Sequence, residues 1–142
     1  MYKKILLSID LNDSASWEKA LPVALEHCQA FGAELLIVTV VPDLPIGIVN
    51  SYMTQDAGTQ MVRAFKEKLK EFVEQRIPTG FKVSPHVGHG TVYRVILETA
   101  EKFEADLIIM ASHRPAMSDY LLGPNAARVV RHSPLSVLVV RS

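Results

Sequence analysis

Ser112, His113 and Arg114 directly follow the apolar run Asp106 to Ala111, and Gly123-Pro124-Asn125 stands a short loop farther on. The three side chains can donate hydrogen bonds or positive charge. Gly123-Pro124-Asn125 reads as a helix start, with free backbone N–H groups and the positive end of a peptide dipole. Just past the carboxyl end of a strand, this combination suits an anion, and phosphate is the first candidate. Far upstream, Ser8-Ile9-Asp10 closes another apolar run with a carboxylate. Ligands of doubly wound sheets bind outside the carboxyl ends of strands, where strand order reverses. If these two strands are neighbours, Asp10 faces the Arg114 loop across one cleft. A carboxylate suits an amine or ribose hydroxyls, whereas a cation and a helix start suit phosphates. Together they describe a nucleotide.

The elements that must position these groups alternate along the chain. Lys4 to Ile9 is a near-continuous apolar run, as expected of a strand covered on both faces. Asn12, Asp13, Ser14 and Ser16 offer N-caps for a helix with Ala20, Val23, Ala24, His27, Cys28 and Phe31 on one face. Pro22 predicts a kink or an irregular first turn there, and Gly32 a left-handed cap. Glu34 to Val41 is a second buried strand. Pro42 to about Thr59 has no clear period and reads as a long mobile loop, before a helix with Met61, Phe65, Leu69, Phe72 and Val73 inward. Phe81 to Val87, interrupted by Pro85, reads as an edge strand. The third helix carries Val92, Val95, Ile96, Thr99, Ala100 and Phe103 on one face, and the fourth Leu122, Ala126, Val129 and Val130. Ser136 to Arg141 is the last strand. This alternation predicts one α/β domain over residues 1–142, with a mostly parallel five-stranded sheet.

Fifteen Lys and Arg balance fifteen Asp and Glu. That argues against nucleic acid as a partner, which asks for a basic surplus, and leaves a small anionic ligand open. The single cysteine, Cys28, excludes an intrachain disulfide and points to a reducing compartment. Met1 leads straight into a strand without signal-peptide features, and no apolar run approaches the roughly 20 residues that span a bilayer. A cytoplasmic protein with no membrane insertion is expected.

Catalytic signatures are missing. The chain has no G-x-x-x-x-G-K-[ST] phosphate loop, no G-x-G-x-x-G after a strand and no G-x-S-x-G elbow. Gly88-His89-Gly90 lacks the third glycine and reads as a turn. Ser112 and His113, adjacent in sequence, do not make a nucleophile and base pair. His86, His89 and His132 show no metal-ligand spacing with one another or with Cys28, so no metal site is expected. His27 reads as a core histidine and Cys28 as a buried apolar residue. The expectation is a binding protein without assembled catalytic machinery.

The whole length resembles the universal stress protein family, closest to its short bacterial F- and G-type members. The resemblance rests on Met1 to Asp10 (M-Y-K-K-I-L-L-S-I-D), Ser112-His113-Arg114-Pro115, Leu121-Leu122-Gly123, Asn125-Ala126, Val129-Val130-Arg131-His132 and Val137 to Arg141. It implies a flavodoxin-like, three-layer sandwich of the adenine nucleotide alpha hydrolase-like type, with parallel strand order 3-2-1-4-5. It further implies a homodimer paired through the last strand, at Val137, Leu138, Val139 and Val140. For the ligand it implies ATP, or ADP or AMP, with Mg or Mn as a possible companion of the phosphates. Adenine contacts would fall near Asp10 and Val40, and phosphate contacts on His113, Gly123 and the residues after it. The nucleotide-binding set expected as a whole is Ser8, Ile9, Asp10, Val40, Ala111, Ser112, His113, Arg114, Gly123, Pro124, Asn125 and Ala126.

The sequence departs from the family's G-x-x-G-x9-G-[ST] pattern in three ways. Ala111 and Arg114 replace the first two glycines, the following loop is one residue shorter, and Pro124 replaces Ser/Thr. Losing a glycine limits close backbone approach. Pro124 lacks an N–H, though at the first helical position that group is one of several free donors. Arg114 adds a forked cation suited to phosphate, and Asn125 can replace the hydroxyl. The expected function is a dimeric regulatory module. Nucleotide occupancy would bias the loop after the second strand and with it the surface for an unknown protein partner. Two other readings stay open: a scaffold that binds no nucleotide, and a slow ATP hydrolase with His113 positioning water.

Overall fold

The computed structural model describes residues 1–42, 54–112 and 123–141. Side chains of a strand point alternately to its two faces, so a strand apolar at every position needs cover on both. The first strand, β1 (Lys4–Ser8), shows this directly. Ile5, Leu7 and the following Ile9 enter one core, while Leu6 enters the other. Helices α1 (Ala20–Phe31) and α2 (Thr54–Arg76) cover the first face through residues such as Ala24, Cys28, Leu69 and Phe72. Helices α3 (Val92–Phe103) and α4 (Pro124–His132) cover the second through Ile96, Ala100, Ala126 and Val129. The remaining strands are β2 (Glu34–Val41), β3 (Val83–His89), β4 (Leu107–Ser112) and β5 (Ser136–Arg141).

The five strands are parallel and ordered β3-β2-β1-β4-β5, the flavodoxin-like order the resemblance implied. β1 therefore lies between β2 and β4, with Ser8 level with Val38 on one side and Met110 on the other. Strand order reverses at β1, with β2 and β3 laid to one side and β4 and β5 to the other, which opens a crevice above the carboxyl ends of β1 and β4. β3 is an edge strand, and Pro85, lacking an N–H, is tolerated there opposite Ile37.

Several boundaries differ from those read in the sequence. α2 begins at Thr54, so the helix takes in residues to Thr59 that had no visible period. Pro22 does not interrupt α1: the helix starts at Ala20, and Pro22 sits in its first turn, where backbone N–H groups lack intrahelical partners anyway. Asp13 caps a short 3-10 turn at Ser14–Ser16 instead of α1, its carboxylate accepting from the Ala15 N–H. His27 and Phe31 leave the core, with Phe31 38% exposed and His27 bonded through Nδ1 to the Val23 carbonyl. Val130, expected inward, is 46% exposed. Leu122 lies outside the described residues. Cys28 is buried, and that burial pushes its thiol up to about 11.

Two backbone positions carry conformational demands. Gly88, in β3, packs so closely on the Val95 side chain of α3 that a Cβ would collide with it. Glu104 closes α3 in the left-handed region at φ 60°, a place usually held by glycine.

Candidate functional site

At the switch point a crevice of about 300 Å³ opens between the ends of β1 and β4. Its volume lies at the lower end of the range of about 300–1,000 Å³ typical of ligand pockets. Ser8, Ile9 and Asp10 form one wall, with Val40 from β2 and Met110 and Ala111 from β4 beneath. Gly123, Pro124, Asn125 and Ala126 close the opposite side. Nine of the residues anticipated from the sequence are thus brought together across more than a hundred positions of chain. Ser112 ends β4 but is buried and does not line the crevice. His113 and Arg114 lie outside the described residues.

The polar wall is built by a tight turn. The Asp13 N–H donates to the Asp10 carbonyl at 3.0 Å, and the Asn12 N–H donates to Asp10 Oδ1 at 2.9 Å. The Asp10 N–H donates to Ser16 Oγ at 2.8 Å, while Ser16 Oγ lies 2.7 Å from the Asp13 carbonyl as donor. The Asn12 N–H thus holds one oxygen of the Asp10 carboxylate, and the residue is exposed at the crevice. Asp10 caps no helix; Asp13 serves the 3-10 turn.

The opposite wall is the start of α4. Gly123 is its N-cap, in extended conformation at φ −61°, so this glycine is not needed for a left-handed turn. The first intrahelical bond runs from the Ala127 N–H to the Gly123 carbonyl. Pro124 has no N–H, and no side chain caps the helix. The N–H groups of Asn125 and Ala126 therefore remain without intrahelical partners at the positive end of the dipole.

Sequence reasoning missed part of the lining. Asn12, Asp13 and Ser16 were read as helix caps, yet they also line the crevice, as do Pro42, Phe65 and Val92. A dense polar run directly after a buried strand was the available signal for the first three. Nothing in the sequence marks Phe65, read simply as an inward position on α2. Among the described residues, no group of three His, Cys, Asp or Glu side chains could hold a metal ion. No described helix is long and apolar enough to cross a membrane.

The model of the universal stress protein family matches residues 1–141. The chain belongs to that family. It is similar to universal stress protein G of Salmonella typhimurium, 32% identical over an alignment that covers 99% of this chain and 100% of that protein. Among solved structures, UspA of Lactobacillus plantarum superposes with a TM-score of 0.78 at 22% identity, over 99% of this chain and 98% of that one. A universal stress protein in complex with cAMP gives 0.62 at 22% identity, over 98% and 96%. These neighbours share the fold described above.

Proposed function

We propose that this universal stress protein binds ATP or a related adenine nucleotide in the β1/β4 crevice and acts as a dimeric regulatory module. The observation that carries this reading is the convergence of the Asp10 turn and the uncapped start of α4 on one crevice at the switch point. The apolar floor of Val40, Met110 and Ala111, with Ile9 beside it, suits a base. The exposed Asp10 carboxylate suits an exocyclic amine or ribose hydroxyls, and the Asn125 and Ala126 N–H groups suit phosphate oxygens. The complex of a neighbouring universal stress protein with cAMP is consistent with an adenine nucleotide. A magnesium or manganese ion would ride on the phosphates, since the described residues offer no group of three ligating side chains of their own.

Phe65 gives occupancy a route to the rest of the molecule. It brings α2 to a crevice otherwise built from strand ends and α4, so a bound base would tie α2 to β1. For the dimer, the support is β5, an edge strand paired with β4 alone, whose Val137, Leu138, Val139 and Val140 are all half-buried.

The test is the mass of any small molecule released when the purified protein is denatured. An adenine nucleotide in amounts approaching one per chain is expected. A chain that carries none, and whose melting temperature is unmoved by added ATP, ADP or AMP, would refute the nucleotide reading. Sedimentation velocity tests the dimer, and a monomer at all concentrations would remove it.

A further inference from the structure

We propose that the α3–α4 surface around Tyr93 is a docking site for an acidic segment of a partner protein. Tyr93, half-buried in the first turn of α3, is its hub. Arg94 Nε donates to the Tyr93 hydroxyl at 3.1 Å, and the Arg94 guanidinium lies 5.8 Å from the ring centre. From α4, the Arg128 guanidinium lies 5.2 Å from the same ring centre. His132, one turn farther along α4, stacks on the ring at 5.9 Å with the planes 29° apart. The ring thus holds two arginine forks in place, which lowers the ordering cost of using them in an interface.

Among the described residues, no ion pair joins Arg94 or Arg128 to an acid. Glu98, one turn along α3 from Arg94, is the acid whose field reaches it. The chain is balanced overall, so two exposed arginines beside Glu98 leave a local positive excess among the described residues.

The chemistry of the occupant follows from exposure and residue type. A free small anion gains little from cations this exposed to water. A nucleic acid asks for a longer basic track than two arginines and a histidine. A protein segment with closely spaced carboxylates can engage both forks and cover the ring at once, and Tyr and Arg are the residues that dominate protein interfaces. The patch adjoins the crevice: Val92, beside Tyr93, and Asn125, one turn before Arg128, both line it. The inference does not depend on what the crevice holds.

The experiment is fluorescence anisotropy of a labelled peptide rich in Glu and Asp, titrated with the full chain. Arg94→Glu, Arg128→Glu and Tyr93→Ala should each weaken binding by about tenfold or more, the last without any change of charge. Lys70→Glu, the same charge change on α2 across the sheet, should leave affinity within about twofold. Circular dichroism establishes that each variant is folded. No binding by the unaltered chain, retained binding in Arg128→Glu, or equal loss in Lys70→Glu would overturn the proposal. So would tighter binding of a single-stranded oligonucleotide or inorganic phosphate through the same residues.

Discussion

The Asp10 backbone N–H donates to Ser16 Oγ at 2.8 Å, which pins the end of β1 to the turn that forms the polar wall of the crevice. The same oxygen reaches the Asp13 carbonyl at 2.7 Å, so one hydroxyl joins three corners of that turn. Ser16→Ala should therefore cost about 1 kcal/mol of stability, the usual net worth of such a bond. It should also weaken nucleotide binding, because the Asp10 carboxylate loses its fixed direction. Urea denaturation and calorimetric titration of the variant check both parts. An affinity equal to that of the unaltered chain would show that the Ser16 contact does not serve the site.

Gly88 and Val95 are in closer contact than any Cβ would allow. Gly88→Ala should destabilise the chain by about 1–3 kcal/mol, the range for overpacking a well-filled site. Val95→Ala vacates the space that the new methyl needs. The double variant should accordingly be more stable than the sum of the two single losses predicts, and a double-mutant cycle from urea midpoints measures that difference.

Glu104 holds a left-handed backbone at φ 60°, and its N–H closes α3 onto the Ala100 and Glu101 carbonyls. Glycine adopts this conformation without a Cβ clash. Glu104→Gly should raise stability by about 0.5–1 kcal/mol. Thermal melting gives the sign directly.

His86 titrates below its ordinary value of 6.5, first through partial desolvation and then through the Lys102 and Lys66 charges. The unfolded chain consequently binds the proton before the folded one does. The stability associated with neutral His86 is complete above pH 6.5 and is lost as the pH falls through that value toward the lower folded-state pKa. Urea midpoints should fall on acidification from about pH 7.5 to about pH 5, and fall less in His86→Gln. An equal decline in both chains would remove His86 as a cause.

The parts of this molecule that were legible in the sequence are those where one local cause decides. Continuous apolar runs required a sheet covered on both faces, and Pro85 required an edge. Ser8, Ile9, Asp10 and Gly123 to Ala126 were findable because strand ends and helix starts are where ligands sit in such sheets. Other features depend on tertiary packing that no local pattern records. Phe31 and Val130 kept the helical spacing of core residues yet are exposed at 38% and 46%. Phe65 reaches the crevice because of where α2 crosses the sheet, a relation set by the whole fold. Likewise, Gly88 was read as part of a turn, whereas its demand comes from an α3 side chain pressed against β3.

Calorimetric titration of the nucleotide-free chain with ATP tests the central claim most directly. The account predicts saturable binding at one site per chain, weakened by about tenfold or more in Asp10→Ala while that variant stays folded. Absence of any saturable heat with ATP, ADP and AMP, or binding that Asp10→Ala leaves untouched, would contradict it.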